Sequence, residues 1–252
     1  MNSWAAKQGL SRFTARRVRC TNRKKSGRTP YDERARVQNG KAAGKKQGTE
    51  GYIRHIEVIR KGVGDSLVLG VDANQGWLVT IVDKIPAWDL QRATEFAQAC
   101  YANNINWLEE PLDSRDYDGN AALKKISKVK ISGAELNYGW DEIKIMLEKD
   151  CFHVYQPDAT FEGGIAQVRK VIDACHAYGR EYSPHTWTNG LGFYINWNMV
   201  LADKGNKLPL EYPLEGPSWV PEQREGIIDP IIPDKNAMLA PFTRQRRTKP
   251  EE

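Results

Sequence analysis

From about residue 51 onward, short apolar or β-branched runs alternate with longer amphipathic ones. The short runs are SLVLGVD (66–72), INWLEEP (105–111), VKISGAE (129–135), FHVYQPD (152–158), GREYSPH (179–185) and KLPLEY (207–212). Each has the length of a strand, and most end at or beside an ionisable residue. Between them, helical spacing predicts helices over 51–62, 89–102, 117–127, 140–149, 164–178 and 190–203. In the fifth of these, Ile165, Val168, Val171, Ile172 and Cys175 recur at helical steps and give one apolar face. Regular alternation of strand and helix implies a parallel sheet, and a repeat of about 23–27 residues matches the compact unit of a TIM-type (β/α) barrel. A doubly wound open sheet is the rival fold. It loses support because no GxGxxG follows a strand and no GxxxxGKS/T is present.

Residues 1–50 have a different texture, with 14 Lys/Arg against 3 Asp/Glu and no sustained period. The formal net charge of +5 therefore conceals a basic segment on a body that sums to −6. RRVRC and NRKKSGR, within 12–36, could serve as a basic arm, but no aromatic residues interleave with them at regular spacing, so nucleic acid is not an expected partner. No apolar run approaches the roughly 20 residues that span a bilayer. The four cysteines are far apart with no CxxC pair, which argues against a zinc site or a disulfide framework and fits a reducing cytoplasm. Prolines at 213, 217, 221, 230, 233, 241 and 250 make the tail irregular. The expected division is a basic, poorly patterned segment over 1–50, a barrel over 51–235 and an irregular tail over 236–252.

In a barrel the C-terminal strand ends converge on one rim, where chemistry is found. The residues expected there are Asp72, Glu109, Glu135, Asp158, His185 and Glu211. Any one acid after a strand is an ordinary helix cap. Acids at three successive strand ends are costly like charges unless a cation sits among them, and an all-oxygen set points to a hard metal. Mg²⁺ is the expected ion, with Mn²⁺ the alternative. The remaining histidines, His55, His153 and His176, fall on helices or inside a strand and are assigned structural or surface roles.

Together VDANQGW, WLEEP, SGAE, QPD and SPHTW resemble the successive barrel motifs of the mandelate racemase branch of the enolase superfamily. The intervals from Glu109 to Glu135 to Asp158 to His185, at 26, 23 and 27 residues, suit that branch. The resemblance covers about residues 50–235. It implies a modified (β/α)7β barrel of enolase type, with Asp72, Glu109 and Glu135 as ligands of one Mg²⁺. It also implies His185 as general base, Asp158 as its orienting partner, and Glu211 near the substrate. The implied chemistry is abstraction of the proton next to a carboxylate, with the developing enediolate charge offset by the cation. Dehydration of an acid sugar is the leading reading, and Asn74, Trp187, Thr188 and Asn189 are candidate substrate contacts.

Two departures matter. The branch's Lys-x-Lys corresponds to NGKAAGKKQG (39–48), where Lys41, Lys45 and Lys46 stand without a preceding strand and read as a solvated basic loop. If Lys46 reaches the rim as a second base, racemisation or epimerisation of a hydroxy acid is the alternative reaction. The Asp at 158, where the lactonizing branch would have a Lys, disfavours muconate-type chemistry. The second departure concerns the α+β capping domain of the branch, for which residues 1–50 offer no pattern; the cap is expected to be missing and the barrel incomplete at its N-terminus, and a catalytically impaired remnant is a further alternative. TIVDKIPAW (80–88) is a candidate loop over the rim. The expected partner is a small-molecule carboxylate, an acid sugar or hydroxy acid, with a homo-oligomer left open and no membrane contact.

Overall fold

The computed structural model describes residues 40–76, 87–188, 190–206, 208–212, 232–233 and 239, with side chains from residue 49 onward apart from that of Ser66. Its elements, in chain order, are α1 (Gly40–Val63), β1 (Leu69–Asp72), α2 (Leu90–Ala102), β2 (Ile105–Glu109), α3 (Tyr117–Ile126) and β3 (Lys130–Gly133). There follow α4 (Gly139–Glu148), β4 (Val154–Tyr155), α5 (Ile165–Ala177), β5 (Glu181–Tyr182) and α6 (Gly190–Ala202). The five strands lie in the order β1-β2-β3-β4-β5, every neighbouring pair parallel. A doubly wound sheet reverses its strand order at a switch point. Here the order never reverses, so the chain winds one way, as in a TIM-type barrel.

Strand alternation sorts side chains between the two faces of the sheet. Leu108 and Ile131 are in register on β2 and β3 and are fully buried. They belong to one core with Phe96 and Cys100 of α2, Leu123 of α3, and Ile143 and Met146 of α4. A second cluster joins Val168 and Ile172 of α5 to Tyr182 and Met199, and a third joins Phe193 and Trp197 to Tyr212. Asp89 caps α2 by accepting the Arg92 N–H at 2.8 Å, and Asp116 caps α3 through the Gly119 N–H at 2.9 Å. Helix α5 starts without a side-chain cap, after Gly163 and Gly164 at φ 94° and 93°, conformations that other residues rarely adopt.

Helix α1 differs from expectation at its start, since the backbone is helical from Gly40 through the stretch expected to be a basic loop. Its end is fastened by Arg60, whose guanidinium donates to the carbonyls of Asn103 (2.9 Å), Asn104 (2.6 Å), Gly64 (2.7 Å) and Leu67 (3.1 Å). Tyr52, Trp88 and Phe96 stack edge to face, joining α1 to α2, with the Arg92 guanidinium 4.8 Å from the Trp88 ring. Ile165, expected on the apolar face of α5, is 59% exposed because it stands at the first residue of the helix.

Strands β4 and β5 are two residues long, much shorter than the runs that predict them. Ladder-like bonds nevertheless continue past them: Gln156 N–H to Gly133 O (2.8 Å), Ser183 N–H to Tyr155 O (3.0 Å) and His185 N–H to Gln156 O (3.3 Å). The chain thus stays extended while leaving regular geometry to re-aim rim side chains. The sixth run is reduced to a bridge at Glu211, beside β5 through the Ser183 hydroxyl, which donates to Pro209 O at 3.0 Å.

Ile131 is fully buried within the core it shares with β2, α2, α3 and α4, so its truncation leaves a cavity that little can fill. Ile131→Ala is expected to lower stability by about 2–5 kcal/mol, measured as a shift of the urea midpoint with an unchanged denaturant slope.

Candidate active site

The strand ends carry the expected acids to one rim. Asp72 of β1 and Glu109 of β2 are in register, and Glu109 is in register with Ser132 of β3, three residues before Glu135. Non-glycine residues with left-handed φ follow each of these strands: Asn74 (51°), Glu110 (44°) and Ala134 (83°). Such conformations cost about 1–3 kcal/mol each and gather where a site over-determines them. Here they redirect the chain within two residues of each acid.

Asp72 is half-buried and forms a local turn in which Asn74 donates its backbone N–H (2.9 Å) and its side-chain amide (2.6 Å) to the two carboxylate oxygens. Asn74, expected to touch substrate, is exposed and turned to Asp72. Glu109 and Glu135 are buried. Glu110 is buried too, with its carboxylate against Gly76, where an added Cβ would lie 2.2 Å from Oε1. Sequence reasoning assigned Glu110 no part; its neighbour in the EE pair masked it. Among the described residues no three His, Cys, Asp or Glu side chains are drawn close enough to hold a metal ion. The donor chemistry suits a hard cation, since the three acids stand at neighbouring strand ends, but the ligand geometry is not assembled.

The other half of the rim is built tightly. His185 Nδ1 lies 2.8 Å from Asp158 Oδ2, with both residues buried. Asp158 Oδ1 accepts the Thr160 N–H (2.8 Å), the Thr160 hydroxyl (2.7 Å) and the Asn196 amide (2.8 Å). Burial pushes the Asp158 carboxyl upward, but donation from His185, Thr160 and Asn196 outweighs it and holds the group below the ordinary carboxyl range. An ionised carboxylate only accepts, so the proton of the neutral imidazole is assigned to Nδ1. The lone pair then lies on Nε2, which faces Glu135 Oε2 at 3.7 Å.

Glu211 reaches the same rim, buried, where its Oε2 accepts the Thr186 N–H at 2.7 Å and its carbonyl accepts the Thr186 hydroxyl at 2.6 Å. Thr188 lies over the first turn of α6, its hydroxyl oxygen 2.4 Å from where a Cβ on Gly192 would be. Trp187 beside it is half-buried. Asn189, the side chain of Lys46, the stretch 12–36 and most of 80–88 lie outside the described residues. His153 and His176 have local partners, the Ile131 N–H (3.0 Å) and Asp203 Oδ1 (2.8 Å).

A family profile described as Enolase C-terminal domain-like matches residues 28–244. The chain belongs to this family. Among curated relatives, this enolase-type chain is 31% identical over 133 residues to the L-talarate/galactarate dehydratase of Salmonella typhimurium, a match covering 53% of this chain and 31% of that protein. The chain thus spans about a third of the length of that relative. Among solved structures, an enolase from Agrobacterium radiobacter, bound to Na and L-malate, superposes with a TM-score of 0.63 at 20% identity, covering 77% of this chain and 49% of that one. L-talarate dehydratase from Polaromonas, complexed with Mg and L-glucarate, gives 0.52 at 24% identity, covering 68% and 47%. At these identities the two structures show a shared fold alone. No helix among the described residues is long and apolar enough to cross a membrane.

One further acid lies just outside the rim. Glu162 is 0% exposed, accepts the Gly139 N–H at 3.1 Å through Oε2, and has no hydrogen-bond partner for Oε1 among the described residues. Burial, reinforced by the nearby Glu142 charge and only partly opposed by the Gly139 N–H, pushes its carboxyl from 4.5 up to about 8. The folded state therefore holds this proton more tightly than the unfolded chain. Its contribution to stability is complete below 4.5 and is lost as pH rises through about 8. Glu162→Gln removes the titration, so the melting temperature of the variant minus that of the parent should climb between pH 5 and pH 9. A difference flat across that range would contradict the assignment.

Proposed function

We propose that this chain carries the proton-abstracting site of an acid-sugar dehydratase in the mandelate racemase branch of the superfamily. The observation that carries the reading is the buried His185–Asp158 pair, 2.8 Å from Nδ1 to Oδ2, with Nε2 turned toward the acid-lined half of the rim. His185 Nε2 takes the proton from the carbon next to the substrate carboxylate, leaving an enediolate. The resulting imidazolium returns that proton to the β-hydroxyl, which departs as water, and the enol product ketonises to a 2-keto-3-deoxy acid. Asp158 keeps Nδ1 protonated throughout and offsets the imidazolium charge. Asp72, Glu109 and Glu135 are the residues that would hold one Mg²⁺, whose chemistry is to neutralise charge developing on the carboxylate. Glu211, held by Thr186, borders the substrate.

The substrate class follows from the talarate/galactarate dehydratase relative and from the ligands, L-glucarate and L-malate, named for the two solved structures. Dicarboxylates suit a rim where carboxylate must meet a cation. The same reading takes the body of the chain, about 51–235, as the barrel. It also places the protein in a reducing compartment, with Cys100, Cys151 and Cys175 buried as free thiols.

In deuterated water with a panel of aldaric and aldonic acids, loss of water with 2-keto-3-deoxy acid formation supports dehydration, whereas exchange with inversion and no loss of water overturns it in favour of racemisation. His185→Asn should lower turnover by about 10²–10⁴-fold. Independently of activity, Mg²⁺ at 100 times its Kd should stabilise the fold by about 2.7 kcal/mol. Asp72→Asn should abolish that thermal shift. If Mg²⁺ raises the melting temperature of both proteins equally, Asp72 is not a ligand.

A further inference from the structure

Asp158 and His185 are both gripped by a third side chain from a different element, Asn196 in the middle of α6. We propose that Asn196 is a positioning residue that fixes the ring orientation and tautomer of His185 by tying the base, its partner carboxylate and the backbone beyond that carboxylate to one helix. The inference rests on the reading of His185 as the base.

Asn196 has no exposure to solvent. Its neighbours Phe193, Trp197 and Met199 are buried apolar residues. An amide there is a poor helix former, and burying it is costly unless its hydrogen bonds are met. They are met at the active site. Nδ2 donates one hydrogen to Asp158 Oδ1 at 2.8 Å and the other to the carbonyl of His185 at 3.0 Å. Oδ1 accepts the Ala159 N–H at 3.0 Å. The Ala159 N–H can only donate, so the amide cannot be flipped without setting donor against donor.

The geometry has a mechanical result. Donation to Asp158 Oδ1, together with Thr160, sets the rotation of the carboxylate so that Oδ2 points at His185 Nδ1. Capture of the His185 carbonyl fixes the backbone from which the ring projects. Thr160 holds the same oxygen of Asp158 through its backbone N–H as well as its hydroxyl, so Thr160→Val leaves that oxygen held by the backbone and by Asn196 and serves as the control.

The test uses the full chain, with nitrogen-resolved NMR of the His185 ring and steady-state kinetics side by side. The parent should show the proton on Nδ1. Asn196→Leu, which keeps the volume and removes both donors, should give a mixture of tautomers and lower kcat by about 10- to 100-fold, the loss typical when an outer partner of a site residue is removed, with KM unchanged. Thr160→Val should retain the Nδ1 proton. If Asn196→Leu does not fold, Asn196→Ser, too short to span from α6 to Asp158 and small enough to admit water, takes its place. A variant that loses melting temperature while keeping the Nδ1 proton and the parent kcat overturns the proposal, as does a parent protonated on Nε2. If the parent dehydrates no acid sugar, the functional reading fails, while the ring signal still decides the role of Asn196.

Discussion

A carboxylate with no contact with water must draw its hydrogen bonds from the protein, and Asp158 draws four. They arrive from its own loop, from the end of the next strand and from α6, so three segments must be in place before the charge is tolerable. The same bonds decide which nitrogen of His185 carries the proton. The arrangement that makes the buried ion stable is thus also the one that leaves a lone pair facing the rim.

The two halves of the rim meet at Glu135, whose Oε2 is 3.7 Å from His185 Nε2. On one side lie acids at the ends of β1, β2 and β3, each within two residues of a left-handed residue that turns the chain sharply. On the other side the strands shorten to two residues and the chain continues irregularly to His185. Regular β geometry would alternate these side chains between core and barrel interior. Departing from it lets successive acids converge, and the Leu108–Ile131 core beneath supplies the rigidity that such departures need.

The order of elements was legible because it rests on local pattern. Strand runs ended at functional residues, and helix α5 announced its buried face through Val168, Val171, Ile172 and Cys175. The acid series and the His185–Asp158 pair were legible because strand ends in a parallel barrel must share one rim. Asn196 was not, since α6 is apolar nearly all round and its two asparagines look equivalent in sequence. Only packing separates them: Asn196 faces Asp158, whereas Asn198 bonds locally to Tyr194 O at 2.8 Å. Glu110 was hidden for a similar reason, because strand alternation sends Glu109 to the barrel interior and gives no account of a neighbour whose φ turns positive. The start of α1 at Gly40 was missed because a Lys- and Gly-rich stretch carries no apolar face to betray a helix.

Glu162 and Asp158 make the environment's part explicit. They stand four residues apart on one loop, joined by the Glu162 N–H to the Asp158 carbonyl at 2.8 Å, and neither is exposed. Sequence chemistry alone would give them the same charge. Asp158 meets three donors and an imidazole and stays ionised, whereas Glu162 meets one N–H and a neighbouring negative charge and keeps its proton. Two like charges this close in a buried loop would repel strongly. Keeping Glu162 neutral lets the loop hold a single charge, on the carboxylate that orients His185, while its bond to Gly139 ties that loop to the one that carries Glu135.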